Sequence, residues 1–401
     1  MTTTPPPRSL ASLAVHAGRD DLNALGVHTM PIDLSTTNPL PTIEAGRDAY
    51  DAYAAGARPT PGMSAVYRRA WNPTVARFED ALAALESYAP DGPRVEAEAV
   101  AFASGMAATT AVLLSRAAAG LPHVVAVRPL YGGTDALLAS GLLGTEVSFV
   151  EPGAVASAIT DRTGLVVMET PSNPTLDLRD IADVVRQAGL VPVMIDNTFA
   201  TPVLQRPLTL GAAFVVHSAT KYIGGHGDAM GGVVVTSPER ATALRPIRTV
   251  TGGVLDPWSA YLLHRGLATL PVRMREQQAT ATRVAMWLTQ HPSVARTFYP
   301  GLPGCDPAGL VGSQMDGPGA MIAFELAGGF ASAERVCAGL RLITHAVSLG
   351  GVDTLVEHPA ALTHRVVVAD AQPGQGILRL SVGLESADDL ITDLDKALTE
   401  A

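Results

Sequence analysis

The sequence predicts an α/β fold with a mostly parallel central sheet and a smaller α/β domain toward the C-terminus. The first observation is a regular alternation of short apolar strands and helices between residues 71 and 256. One unit is clear, with a strand at 165–169, a helix at 179–188 closed by Gly189, and a strand at 190–196. Such a unit is expected to be right-handed and parallel. The second observation is that polar residues follow the strand ends, where parallel sheets bind ligands.

Three regions can be distinguished along the 401 residues, of which 47% are hydrophobic and 16% charged, enough to bury more than one core. Residues 1–70 are rich in turns and prolines and are predicted to form an arm that contacts a neighbouring subunit. Residues 71–256 form the main α/β domain and begin with a helix capped by Asn72, with Pro73 at its first position. Residues 257–401 begin with long helical stretches and end with strands at 321–326 and 377–382.

Composition argues against several classes of partner. The net charge of −10 and the lack of a basic cluster disfavour nucleic acid. The first eight residues lack the apolar core of a signal peptide, and no apolar run is long enough for a membrane span, so we expect a cytoplasmic protein. Cys305 and Cys337 lack metal-site spacing, and we expect no bound metal.

Lys221 is the residue that points most directly to a chemistry. It follows the apolar stretch 212–216, lies beside Ser218 and Thr220, and precedes a glycine-rich turn. This setting suits a lysine that forms a Schiff base next to a bound phosphate better than one on a solvated surface. Pyridoxal 5′-phosphate (PLP) requires such a lysine, so the sequence predicts PLP as the cofactor.

Other strand ends carry groups that PLP would use. Asp196 ends an apolar strand and would pair with the protonated ring nitrogen. Gly105 and Met106 open an Ala-rich helix whose first N–H groups form an anion site. Tyr131 stands on a glycine turn and could stack on the ring, and a further polar cluster occupies residues 169–175. Each feature alone is also typical of a helix cap or turn, so the prediction depends on their occurring together.

With these segments in order, the chain resembles the Cys/Met-metabolism PLP enzymes, the group of cystathionine γ-lyase, cystathionine γ-synthase and methionine γ-lyase. The resemblance covers nearly the whole chain and implies the aspartate-aminotransferase-like fold, fold type I. Its motifs are AVHAG at 14–18, YRRAWNPT at 67–74, SGM at 104–106, YGGT at 131–134, ETPSNP at 169–174, DNT at 196–198, SATKY at 218–222, SLGG at 348–351 and LRLSVG at 378–383.

The resemblance implies a role for each matching residue. Lys221 would hold the cofactor and move protons, Asp196 would pair with the ring nitrogen, and Tyr131 would stack on the ring and act as acid or base. Thr198 would contact the cofactor as well. The phosphate would be bound by four residues of the same chain, which are Gly105, Met106, Ser218 and Thr220.

Two further sets of residues follow from the resemblance. Tyr67 and Arg69 would complete the phosphate site of an adjacent subunit, which implies a homo-oligomer, expected to be a homotetramer of active dimers. Arg379 would grip the α-carboxylate of an amino-acid substrate, as suits a planar bidentate cation, with Asn173 and Ser348 assisting.

Three positions bear on the substrate. Relatives that handle cystathionine tend to have polar or charged residues where this chain has Val66, Ala136 and Val347. A charged distal group would be buried without a partner there, so methionine or homocysteine is favoured. Methionine γ-lyases usually have a cysteine after the Tyr-Gly of the turn, whereas this chain has Gly133.

The reaction that we expect is a γ-elimination that yields a 2-oxo acid, ammonia and the released γ-group. A γ-replacement enzyme, of the cystathionine γ-synthase or O-acyl-homoserine sulfhydrylase type, is the alternative, because both reactions share their early steps. A non-catalytic regulator with the same fold is a third interpretation. Its expected signature is loss of Lys221, Asp196 or Arg379, and all three are present.

Overall fold

The computed structural model describes residues 9–90, 95–365, 367–368 and 371–400. Its helices are α1 (Leu10–His16), α2 (Leu22–Leu25), α3 (Ile43–Ala54), α4 (Pro73–Glu86), α5 (Gly105–Ala118), α6 (Gly132–Ser140), α7 (Val155–Ala158), α8 (Ile181–Ala188), α9 (Thr201–Leu204), α10 (Pro238–Thr251), α11 (Pro257–Leu288), α12 (Gly329–Gly339) and α13 (Ala387–Thr399). Its strands are β1 (Glu98–Phe102), β2 (His123–Val127), β3 (Glu146–Val150), β4 (Thr163–Glu169), β5 (Val193–Asp196), β6 (Phe214–His217), β7 (Gly232–Thr236), β8 (Val294–Phe298), β9 (Met321–Leu326), β10 (Thr344–His345), β11 (Leu355–Glu357) and β12 (Ile377–Ser381).

The larger sheet has seven strands in the order β1-β7-β6-β5-β4-β2-β3. Strands β3, β2, β4, β5 and β6 run parallel, whereas β7 is antiparallel to both β6 and β1. Strands β2, β4 and β6 are buried along their whole length, because helices cover both faces of the sheet. Helices α5 and α10 contribute to the core on one face, and α4, α8 and α11 to the core on the other. The predicted α/β fold with a mostly parallel central sheet is confirmed.

A second sheet of five strands, in the order β10-β11-β12-β9-β8, follows α11 in the chain. Only the short β10–β11 pair is parallel. One hydrophobic core contains residues of both sheets, among them Val235 of β7 and Phe324 of β9, together with Leu267 of α11. The 32 residues of α11 span roughly 48 Å at 1.5 Å per residue. This helix packs against α4 and against β8 and β9 of the smaller sheet.

Capping explains where several elements begin. Asn72 accepts hydrogen bonds from the N–H groups of Thr74 and Val75 and has Pro73 after it, as predicted. Helix α8 begins at Ile181, two residues later than predicted, because the Asp180 side chain caps it by accepting from a backbone N–H at 2.9 Å.

Residues 9–70 contain more regular structure than the sequence predicted. Residues 9–70 include three helices, and the prolines of this range lie between α2 and α3 or after α3. Helix α3 begins at the cap Thr42 and buries Ala49 and Tyr53 in a small cluster with Val66 and Trp71. The prolines on either side of α3 made the whole region look irregular, although the 12 residues of the helix contain no proline. Contact between this arm and a neighbouring subunit stays a prediction.

Within the described residues, none of the helices combines the length and apolarity needed to cross a bilayer.

Candidate active site

A cavity of about 540 Å³ lies where β4, β5 and β6 end, and residues from both sheets line it. Of the residues predicted for the site, those that line the cavity are Gly105, Met106, Tyr131, Asn173, Asp196, Thr198, Ser218, Thr220, Lys221, Ser348 and Arg379. The structure thus brings together all of them except Tyr67 and Arg69. The cavity lies beyond the carboxyl ends of the parallel strands, as expected for this class of sheet.

Lys221 lies in the turn after β6, and its amine faces the C-terminal region. The Nζ atom donates a hydrogen bond to Oγ of Ser348 at 2.8 Å. Ser348 has a φ of 92°, a strained backbone conformation for a residue with a side chain. Burial, assisted by the positive charge of Arg379, lowers the pKa of Lys221 to about 8. The amine is therefore more easily deprotonated than an ordinary lysine.

Asp196 ends β5 and is held by Thr198. Its Oδ1 accepts from the Thr198 hydroxyl at 2.5 Å and from the Thr198 N–H at 3.0 Å. The Thr198 hydroxyl oxygen in turn accepts from the backbone N–H of Ser218 at 2.9 Å. Burial raises the pKa of Asp196, and the hydrogen bonds from Thr198 oppose that shift. A cation beside Asp196 would favour its carboxylate form.

Glu169 is a buried acid that the sequence analysis did not assign to the site. It ends β4 directly opposite Asp196, and its Oε2 accepts the backbone N–H of Tyr131 at 2.8 Å. Burial and the nearby Asp196 raise the pKa of Glu169 well above its usual range. Its place as the last residue of a buried strand was the available signal. Glu169 anchors the turn that presents Tyr131 to the cavity.

Tyr131 stands at the cavity mouth and is only partly buried. Burial, followed by the charge of Glu357, raises the pKa of the Tyr131 hydroxyl, so the phenol keeps its proton at neutral pH. A Cβ atom at Gly133 would lie 2.6 Å from Cε1 of the Tyr131 ring. A cysteine at position 133 would therefore displace the ring from this position.

The start of α5 provides the donors for an anion. The Ser104 hydroxyl caps the helix by accepting from the N–H of Ala107 at 3.1 Å, whereas the N–H groups of Gly105 and Met106 have no intrahelical acceptor. A Cβ atom at Gly105 would lie 2.9 Å from Cβ of Ser218, so a side chain there would fill this end of the cavity. The open space, the free N–H groups and the Ser218 hydroxyl fit a phosphate group.

Arg379 lies on β12 at the opposite end of the cavity and is only 3% exposed. Its Nη1 donates to Oδ1 of Asn173 at 2.9 Å, and its Nη2 donates to the carbonyl of Ser348 at 3.1 Å and to Oε2 of Glu357. Glu357 also accepts from the Thr363 hydroxyl. Glu357 and Thr363 were not predicted from the sequence, because the three residues of β11 show no strand pattern that would place position 357 opposite Arg379.

Tyr67 and Arg69 lie outside this cavity. Both are exposed; the Arg69 guanidinium lies 5.6 Å from the Tyr67 ring centroid and donates to the Thr249 carbonyl at 2.7 Å. Within the described part of the chain, the cations that line the cavity are Lys221 and Arg379. Lys221 and Arg379 both contact Ser348, so neither is among the groups at the start of α5.

The mouth of the cavity is apolar. Met230, Val347 and Leu362 line it with 61%, 53% and 42% of their surface exposed. Of the three positions on which the substrate prediction depended, Val347 lines the cavity. Val66 is buried in the cluster beside α3, and Ala136 lies within α6 away from the cavity lining.

The chain is similar to known proteins over nearly its full length. Residues 11–399 match the family described as Cys/Met metabolism PLP-dependent enzyme. An L-methionine gamma-lyase of Brevibacterium sandarakinum is 58% identical over 387 residues, 96% of each chain. An L-methionine gamma-lyase of Streptomyces avermitilis is 53% identical over 98% of this chain and 90% of its own.

Solved structures show the same fold. The crystal structure of metB from Corynebacterium glutamicum superposes with a TM-score of 0.87, 34% identity and 99% coverage of both chains. Cystathione gamma lyase (CalE6) from Micromonospora echinospora superposes with a TM-score of 0.85 at 37% identity, covering 98% of this chain and 100% of its own. These structures agree with fold type I.

Proposed function

Because the chain belongs to the Cys/Met metabolism family of PLP-dependent enzymes, we propose that it cleaves L-methionine by γ-elimination. It is a PLP-dependent lyase, and its similarity to L-methionine gamma-lyases supports this substrate. The observation that carries the proposal is a cavity with Arg379 and Lys221 at one end and the apolar side chains of Met230, Val347 and Leu362 at its mouth. Methionine and water would yield 2-oxobutyrate, ammonia and methanethiol.

The lining residues fit PLP. The N–H groups of Gly105 and Met106 and the hydroxyl of Ser218 would hold its phosphate, with Thr220 nearby. Asp196, fixed by Thr198, would face the ring nitrogen. When bound, PLP supplies an electron sink that stabilises negative charge at the substrate carbons.

The side chains of the site divide the remaining tasks. Arg379 binds the α-carboxylate through its guanidinium fork, with Asn173 and Ser348 around it. Lys221 takes the α-proton, and its pKa of about 8 leaves a useful fraction of free amine at neutral pH. Tyr131 keeps its proton and donates it to the leaving sulfur.

The apolar mouth predicts the choice of substrate. We expect kcat/KM to be higher for methionine or homocysteine than for cystathionine. The distal ammonium and carboxylate of cystathionine would meet no charged partner among the described residues of the mouth. Val347→Glu is expected to shift this ratio toward cystathionine by roughly 10-fold or more, since one carboxylate would face the distal ammonium. The assay measures 2-oxo acid release from each substrate, with the exposed Leu190→Glu as a control outside the cavity. An unchanged ratio in Val347→Glu, or faster turnover of cystathionine by the wild type, contradicts the proposal.

The alternative of γ-replacement is tested in the same assay. The chain is also similar to the solved cystathionine gamma synthase of Xanthomonas oryzae pv. oryzae, with a TM-score of 0.85 and 35% identity over 98% of both chains, which favours keeping this alternative. Methionine and O-acyl-homoserines are incubated with and without an added thiol, and both the 2-oxo acid and the replacement product are measured. If the replacement product dominates whenever thiol is present, the protein is a γ-replacement enzyme.

We also propose that Arg69, together with Tyr67, completes the phosphate site of a second copy, in a homotetramer of active dimers in the cytoplasm. Two observations support this assembly: Arg69 is exposed, and none of the described residues that line the phosphate end of the cavity is a cation. Arg69→Ala is expected to weaken PLP binding by roughly 10-fold, as for loss of a charge-assisted hydrogen bond, whereas the neighbouring Arg68→Ala is not.

Mixing Arg69→Ala with the inactive Lys221→Ala, at a PLP concentration too low to load Arg69→Ala, tests whether the site is shared between copies. A hybrid dimer contains one site with both wild-type residues, so activity is expected to return to about a quarter to a half of the wild-type level. A fully active monomer in light scattering would refute the shared site.

A further inference from the structure

Arg273 is a buried arginine on α11 that forms no ion pair within the part of the chain described. Its Nη1 donates to the carbonyl of Tyr222 at 2.8 Å, and its Nη2 to those of Ile223 at 3.4 Å and Gly266 at 2.9 Å. Its Nε donates to the Thr269 hydroxyl at 3.1 Å. Burial lowers the pKa of Arg273 to about 10. Carbonyl dipoles therefore offset the cost of this buried charge, and two of them belong to the residues that follow Lys221.

The turn that carries Lys221 rests directly on this guanidinium. Gly225 closes the turn by donating its N–H to the Lys221 carbonyl at 2.8 Å, and it has a φ of 70°. A Cβ atom at Gly225 would lie 2.2 Å from Nη1 of Arg273. The absence of a side chain at Gly225 lets the backbone and the guanidinium approach this closely. The position of Lys221 above the sheet is thus set by contact with α11.

Gln277 lies one turn further along α11 and contacts the other half of the site. Its Nε2 donates to the carbonyls of Gly351 at 2.7 Å and Val382 at 3.1 Å, and the residue is fully buried. Gly351 follows the loop that carries Ser348, and Val382 directly follows β12, which carries Arg379. Residues four apart on a helix share a face, so one face of α11 contacts both halves.

The two halves also touch each other beside this helix. A Cβ atom at Gly350 would lie 2.6 Å from the backbone nitrogen of Tyr222, and Gly350 has a φ of 77°. Two residues away from this contact, Ser348 accepts the hydrogen bond from Lys221. A shift of either loop on α11 would therefore change the distance between the amine and the Ser348 hydroxyl.

We propose that Arg273 and Gln277 are positioning residues that fix the position of the Lys221 turn relative to the loop of Ser348 and the strand of Arg379. The inference rests on the proposed function, in which Lys221 holds PLP and moves a proton while Arg379 binds the substrate carboxylate. Neither Arg273 nor Gln277 lines the cavity. Their effect is geometric, and a misplacement of about 1 Å at a reacting group can cost roughly 10²-fold in rate.

The test compares Arg273→Met, Arg273→Lys and Gln277→Met in the full-length protein. Arg283→Met is the control, because Arg283 lies on the same helix but is exposed and pairs with Asp388. Five quantities are measured: the dissociation constant for PLP by absorbance titration, the fraction of Lys221 trapped with PLP by borohydride, kcat and KM for methionine, and the Tm.

Arg273→Met is expected to weaken PLP binding at least 10-fold and to lower kcat more than it raises KM, because it releases the Lys221 turn. Arg273→Lys restores part of both losses, since an ammonium can still bind one carbonyl. Gln277→Met is expected to raise KM at least 5-fold with a smaller change in PLP affinity, because its contacts lead to Ser348 and Arg379. Arg283→Met keeps wild-type values.

If Arg273→Met and Gln277→Met lower only the Tm, the two residues are structural and the inference is wrong. Should Arg273→Met fail to fold, Arg273→Lys and Gln277→Met decide, and wild-type PLP affinity, kcat and KM in both overturn it. Failure of the proposed function has a different signature. The wild type then releases no 2-oxobutyrate from methionine. PLP affinity and borohydride trapping still show whether each variant has moved Lys221.

Discussion

Lys221→Ala is expected to lose covalent attachment of PLP and to lower kcat for methionine by roughly 10³-fold or more. Loss of a positioned acid–base group alone typically costs 10²–10⁴-fold, and this variant also loses the covalent anchor of the cofactor. The variant is treated with borohydride in the presence of PLP, and the attached cofactor is located by peptide mass. A yellow wild-type protein that becomes colourless in Lys221→Ala would show the same change by absorbance.

Because the chain contains few lysines, the site of borohydride trapping can be assigned directly. Lys221 and Lys396 are the only lysines in the sequence, and Lys396 is exposed on α13. Lys396→Ala is therefore the matched control and is expected to keep wild-type colour, trapping and turnover. Full activity of Lys221→Ala, or trapped PLP found on Lys396 in the wild type, contradicts the role of Lys221. The α-amino group is the remaining amine, and its peptide is monitored separately.

Arg379→Met is expected to impair both substrate binding and stability. It removes the cation for the substrate carboxylate, which we expect to lower kcat/KM by roughly 10²-fold through KM. It also leaves Glu357 buried without its partner, and breaking a buried pair in this way typically costs about 3–5 kcal/mol. Urea denaturation of the PLP-bound protein measures the loss of stability, and steady-state kinetics measure KM.

A second substitution separates these two effects. Glu357→Gln in the Arg379→Met background removes the unpaired acid and keeps an acceptor for the Thr363 hydroxyl. Much of the stability is expected to return, while KM stays high because no cation faces the substrate. If the double variant recovers a wild-type KM, Arg379 does not bind the carboxylate. If the single variant is as stable as the wild type, the ion pair does not contribute as we infer.

The predicted site residues that line the cavity share a physical basis. Asp196 ends a buried strand and Lys221 follows one, and the carboxyl ends of parallel strands meet at one edge of a sheet. The helix start at Gly105 brings its own donors, because the first N–H groups of any helix lack acceptors. Buried strands and helix caps depend on a few neighbouring residues, so the sequence alone predicts them without the tertiary structure. The same holds for the PLP assignment, which requires a lysine, an acid and an anion site but not their distances.

Contacts between residues far apart in the sequence could not be read in this way. The hydrogen bond from Lys221 to Ser348 joins positions 127 residues apart, and the pair of Arg379 with Glu357 depends on the register of β12 against β11. That register is selected by the packing of a whole sheet, to which a three-residue strand contributes little local signal. The contact of the Lys221 turn with Arg273 likewise exists only once α11 has packed into the core that it shares with both sheets. Local sequence specified which groups the site contains, and long-range packing set the distances at which they act, because those distances depend on side-chain packing across the entire core.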